Sequence, residues 1–192
     1  MKKDFFQMLV RVGLFTLCLL TSKGLCIDVH AGTVGEYIVK SALILNFARF
    51  TDWPPEAFAD SPDILHICIL GDDAVVDEFA GIKGKRVGER HLAVRKVSST
   101  QRLQNCNLLF VCDSNRKRLP QFFEAVKGKS VLTIGEMAGF AESGGIINLV
   151  KVEGKIRFEV NLEAARRAGL KISSRILKLA TIVGGLQWEE RE

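Results

Sequence analysis

The sequence predicts an α/β fold: a three-layer sandwich with a mostly parallel central sheet, an antiparallel C-terminal hairpin and helices on both faces. Three observations predict it. Apolar runs of strand length, at residues 64–70, 91–97, 106–112 and 130–134, alternate with helical or polar stretches, the pattern of strands joined by crossovers. A long helical segment rich in apolar residues precedes them. Near the C-terminus, residues 146–152 and 155–160 flank Glu153-Gly154. Two linking residues with Gly second are a strong hairpin signal.

The chain opens with Lys2, Lys3 and Arg11 before an apolar run, residues 12–20, and reaches the small residue Ala31 after Val29-His30. That is the layout of a secretory signal peptide, too short for a comfortable membrane span. Residues 1–31 are therefore expected to be cleaved and residues 32–192 to form one exported domain. Removing four basic and two acidic residues takes the net charge from +5 to +3. An excess that small and dispersed does not argue for nucleic acid.

Residues 34–52 read as a helix whose apolar positions, Tyr37, Ile38, Val39, Leu43, Ile44, Leu45, Phe47 and Phe50, nearly encircle it. Such a helix needs cover on most sides, from the core or from another subunit. Trp53-Pro54-Pro55 ends it, and Trp53 reads as a core plug rather than a ligand platform. Asp72-Asp73 is expected to cap a short helix running to Phe79 after the first strand. The turn at residues 81–86 is basic and glycine-rich but lacks the Gly-Lys-Ser/Thr ending of a phosphate loop. Residues 99–103 read as a brief helix, and Asn115 as the cap of a helix over 116–126. After the hairpin, Asn161 caps a short helix that Gly169 closes. Ser173 or Ser174 caps a last helix carrying Ile176, Leu177, Leu179, Ala180 and Val183 on one stripe.

Beyond the leader the cysteines are Cys68, Cys106 and Cys112. In an oxidising compartment Cys68 can pair with Cys106 or with Cys112, leaving one thiol over. His66 and His91 each stand alone, no spacing of His, Cys or carboxylates matches a zinc site, and no nucleophile elbow is present. The residues ask for no metal, no cofactor and no catalysis.

Several blocks then fall together: Val39-Lys40-Ser41-Ala42 with Asn46-Phe47-Ala48-Arg49-Phe50 and Trp53-Pro54; Cys68-Ile69-Leu70-Gly71-Asp72-Asp73; Cys106 with Leu109-Phe110; Val131-Leu132-Thr133-Ile134-Gly135; and Gly139-Phe140-Ala141. Gly144-Gly145-Ile146-Ile147-Asn148 follows, and then Arg157-Phe158-Glu159-Val160-Asn161 with Ala164-Ala165, Ala168-Gly169-Leu170 and Ile172-Ser173-Ser174. In order and spacing this resembles the YfiR-like periplasmic family. The resemblance implies a periplasmic, often dimeric protein that represses an inner-membrane diguanylate cyclase, in cyclic-di-GMP signalling, through the cyclase's periplasmic sensor region. It implies a second partner, an OmpA-like outer-membrane lipoprotein that sequesters the inhibitor, and a disulfide between Cys68 and Cys106. The chain departs from the family in having no cysteine pair between residues 141 and 148, and Cys112 is left unpaired.

The face expected to meet the partner is the hairpin, with Ile147 and Phe158 as apolar anchors, Glu159 as a polar contact and Lys171 as a nearby charge. The competing reading of these positions is packing for Phe158 and solvation for Glu159. The alternative function is a periplasmic small-molecule sensor using a pocket between the first helix and the hairpin, without a cyclase partner.

Overall fold

The computed structural model describes residues 31–184. The expected leader, with Cys18 and Cys26, lies outside them apart from Ala31. Helix α1 spans Ala31–Arg49, short of the expected end at residue 52. Pro54 holds the residue before it in extended backbone. The Thr51 hydroxyl donates to the Phe47 carbonyl at 2.8 Å, satisfying one of the last open acceptors of the helix. Thr51 and Asp52 then form strand β1 (Thr51–Asp52), antiparallel to β9 (Lys171–Ile172) in a separate two-stranded ladder.

The main sheet has eight strands. In chain order they are β2 (Ile64–Leu70), β3 (Arg86–Val87), β4 (Arg90–Lys96), β5 (Leu108–Val111), β6 (Leu132–Gly135), β7 (Ile147–Val152), β8 (Lys155–Asn161) and β10 (Thr181–Val183). Across the sheet the order is β10-β8-β7-β6-β5-β2-β4-β3. Strands β4, β2, β5, β6 and β7 run parallel, β8 returns antiparallel on β7, and β10 lies parallel to β8. The hairpin turns through Glu153 at φ 49° and Gly154 at φ 75°, two left-handed residues that match the twist of the strands they join. The α/β class and the antiparallel hairpin are as the sequence predicts.

Two apolar clusters lie on opposite faces of the sheet. On one, Ile67, Ile69, Phe110, Ile134, Ile147, Phe158 and Val160 pack against Ile44, Phe47 and Ala48 of α1. Phe47 meets Phe158 edge to face at 5.0 Å. Helices α2 (Asp73–Glu78) and α4 (Leu162–Arg167) cover the same face, through Val75 and through Ala164 and Ala165. On the other face, Cys68, Leu70, Leu109 and Val111 meet Phe122 and Val126 of α3 (Leu119–Val126). Cys68 and Cys106 are joined there, with Cα atoms 6.1 Å apart. Cys112 is free and buried, and belongs to the α1 side. The sheet therefore stands between the bridge and the remaining thiol, which rules out the pairing of Cys68 with Cys112.

Three expected elements are corrected. Besides the early end of α1, Asn115 does not cap α3. A 3-10 turn, Asp113–Arg118, precedes that helix, Pro120 occupies its first turn, and Asn115 Nδ2 donates to the Leu70 carbonyl at 3.3 Å. The last helix, α5 (Ser174–Leu177), is capped by Ser173 as expected but runs one turn only. Thr181, Ile182 and Val183 follow it and pair with Glu159, Val160 and Asn161. All of these departing residues are β-branched, so a sheet edge suits them better than a helix end. Leu179, expected on the helical stripe, is 72% exposed. Trp53 is half-buried as a plug, edge-on to Phe58 at 6.1 Å, with its indole N–H donating to the Asn107 carbonyl at 3.3 Å.

Candidate partner-binding site

Two polar arrangements stand out. The first lies at the carboxyl ends of β2, β5 and β6. The strand order reverses between β2 and β5, the place where open α/β sheets commonly take ligands. Here the crevice is filled from within. Gly71 leaves room for Cys112, because a Cβ on residue 71 would run into the Cys112 Sγ. From above, α1 lowers Tyr37 and Lys40 onto Glu136, the residue after β6. The Tyr37 hydroxyl donates to Glu136 Oε1 at 2.9 Å. Lys40 Nζ donates to Glu136 Oε2 at 2.6 Å and pairs with Glu36 Oε1 at 2.6 Å. Lys151 on β7 reaches Glu36 Oε2 at 3.0 Å.

The electrostatics are those of a clamp. Hydrogen bonds from Lys40 and then Lys151 outweigh burial and hold the Glu36 carboxyl below its ordinary value. Burial pulls the Lys40 ammonium down, but its bonds to Glu136 and Glu36 prevail and keep it above its ordinary value. Burial, with Glu136 beside them, pushes the Tyr37 hydroxyl and the Cys112 thiol well up. A thiol held protonated is a poor nucleophile, and an ammonium engaged by two carboxylates is no base. The cluster pins α1 to the sheet. Among the described residues, no group of three or more His, Cys, Asp or Glu is placed to hold a metal.

The second arrangement is the hairpin. Alternation gives it two unlike faces. Ile147, Leu149, Phe158 and Val160 enter the core beneath α1. Val152, Lys155 and Arg157 are exposed on the opposite face, with Val150 and Glu159 half-buried beside them. Glu159 is held in place: Asn148, fully buried, donates from Nδ2 to Glu159 Oε2 at 2.9 Å and accepts from Met137 N–H at 3.2 Å. Asn161 does similar work at the end of β8, donating to the Ala141 carbonyl at 2.7 Å and accepting from Ala164 N–H at 2.9 Å.

The four residues expected to meet a partner do not share one surface. Ile147 is 0% and Phe158 7% exposed, so neither is a surface anchor. The register that sets Ile147 against Val160 and Leu149 against Phe158 turns that whole set toward α1. Lys171 is exposed, but in the β1–β9 ladder opposite Asp52. Glu159 alone of the four lies on the open face of the hairpin. The sequence reading misses Asn148 as the residue that fixes Glu159, and Val150, Val152 and Arg157 as its neighbours. Their even spacing, from Asn148 along β7 and from Glu159 along β8, is the signal that could have found them.

The model of the YfiR/HmsC-like family matches residues 37–181, which takes in α1 from Tyr37, the whole sheet up to the start of β10 and the hairpin. The chain belongs to the YfiR/HmsC-like family. YfiR/HmsC-like proteins are periplasmic regulators in cyclic-di-GMP signalling. Among solved structures, a conserved domain protein from Vibrio cholerae O1 biovar El Tor strain N16961 is similar at 13% identity and a TM-score of 0.52, over 76% of this chain and 59% of that one. The ABC domain from Streptococcus pneumonia, solved in complex with L-Trp, is similar at 14% identity and a TM-score of 0.49, over 71% of this chain and 60% of that one. The chain thus spans about 60% of the length of each. At such identity the Vibrio cholerae likeness concerns the fold alone. No helix among the described residues is long and apolar enough to cross a membrane.

Proposed function

We propose that this YfiR/HmsC-like chain is an exported, periplasmic inhibitory binding protein that represses an inner-membrane diguanylate cyclase by docking on the cyclase's periplasmic sensor region. The mode of action rests on one observation: the hairpin buries one face and offers the other, with Glu159 fixed by Asn148 among Val150, Val152 and Arg157. A rigid, mixed apolar and charged sheet face can favour one receptor conformation over another, and only such a difference in affinity shifts a population. An OmpA-like outer-membrane lipoprotein competing for this face relieves the inhibition by mass action. A second copy of the chain covers α1 where Ile38 and Val39 are 56% and 48% exposed. Sedimentation of the parent beside Val39→Glu tests that association, and a concentration-dependent dimer lost in the variant is the expected outcome.

The test of the main reading is cyclase output in membranes reconstituted with and without the purified protein. The parent lowers cyclic-di-GMP production. Glu159→Lys, which sets a like charge beside Arg157, needs at least about tenfold more protein for the same effect, the scale of about 1.4 kcal/mol of lost binding. A cyclase indifferent to the parent sinks the reading.

A further inference from the structure

A cavity of about 290 Å³ opens on the edge of the molecule between α3, the turn at residues 128–131 and α4. Its floor is apolar, from Phe123, Val131, Ile146 and Ala168. Its rim carries Lys127, Lys129 and Arg167 against one carboxylate, Glu124. Lys127 lies 3.3 Å from Glu124 and Arg167 lies 3.4 Å from Glu163, both pairs exposed and so weak. Lys129 has no carboxylate within ion-pair distance among the described residues. In the lining, Thr133 is 3% exposed and accepts from Ile146 N–H at 3.0 Å. Its hydroxyl proton is not engaged by another group among the described residues and can donate into the cavity.

We propose that this cavity binds a small organic acid: an apolar or aromatic body on the Phe123–Ile146 floor, and a carboxylate at the Lys129 rim. Volume sets the size. At about 30 Å³ for each water-sized group, the space takes about ten non-hydrogen atoms, at the small end of ligand pockets. Charge sets the class, since an excess of cations at the mouth of a low-dielectric cleft focuses attraction on an anionic head. Thr133 supplies a donor for a second polar atom deeper in. The site is distinct from the crevice that α1 fills, and it lies elsewhere than the space between the first helix and the hairpin. It adjoins both ends of the hairpin, since Ile146 leads into β7 and α4 follows β8. The proposal stands without the cyclase.

The experiment is a titration of the isotope-labelled chain with 3-phenylpropionate and with octanoate, each beside its neutral amide, read by amide chemical shifts. Saturable shifts centred on Val131, Ile146 and Ala168 are expected from the acids, with the amides at least about fivefold weaker. Lys129→Gln is expected to weaken the acids about fivefold and leave the amides unchanged. Ala168→Phe is expected to fill the cavity and abolish binding by all four, with a dispersed spectrum showing that it folds. If that variant does not fold, Lys129→Gln, an exposed change, decides alone. No saturable shift from either acid overturns the proposal. So do shifts centred elsewhere, equal binding of acid and amide, or binding untouched by Lys129→Gln.

Discussion

Gly71 and Cys112 share one space, and neither can be read without the other. A methyl group on residue 71 meets the Cys112 sulfur, in a core where overpacking costs about 1–3 kcal/mol. Gly71→Ala is expected to lower unfolding stability by that amount, and Cys112→Ala in the same chain to restore most of it. Urea denaturation of the four members of this cycle measures the coupling, and additive losses would mean that the two residues do not compete. Residue roles are legible in the sequence only in part. The alternation of residues 155–160 separates Ile156, Phe158 and Val160 from Lys155, Arg157 and Glu159. It cannot say that the apolar set serves α1 rather than a partner, since a core and an interface ask for the same side chains. Lys40 and Glu136 lie 96 positions apart, and no local pattern announces such a pair.

At the scale of the element, α1 is fastened by charge as well as by packing. Breaking a buried pair strands the remaining partner, so Lys40→Met is expected to cost about 3 kcal/mol at neutral pH. The pH dependence has a definite sign. Glu36 is held below its ordinary 4.5, so its contribution is complete above that value and is lost as the pH falls through the lowered one. Lys40 is held above its ordinary 10.5, so its contribution is complete below that value and is lost as the pH rises through the raised one. The gap in stability between parent and Lys40→Met should therefore be widest between these limits and narrow on both sides. Urea curves across the range check it, and a gap that does not change with pH counts against the clamp. Elements built on strong local signals are legible in advance. The first strand, the hairpin and the Asn161 cap each rest on a run or a residue that admits one reading. The β1–β9 ladder and β10 are not, because two or three residues carry too little periodicity to compete with a neighbouring helix signal.

For the whole molecule, strands alternating with helices give the layered arrangement from sequence, while the order of strands in the sheet comes from packing that the sequence does not print. The bridge between Cys68 and Cys106 ties β2 to the segment that leads into β5, across a separation of 38 residues. On the chain-entropy account, closing a loop of that length stabilises by about 4 kcal/mol. Replacing both cysteines by Ala is expected to lower the urea midpoint accordingly without altering the fold, as circular dichroism would show. A midpoint unmoved by the change would place the bridge outside the cooperative unit. The sheet that parts this bridge from Cys112 gives the remaining sulfur a separate use. Buried on the α1 side beside Gly71 and Glu136, it meets an alkylating reagent only when the native packing gives way. Its rate of modification, followed on its own peptide by mass spectrometry, is then a clock for how often the folded protein opens.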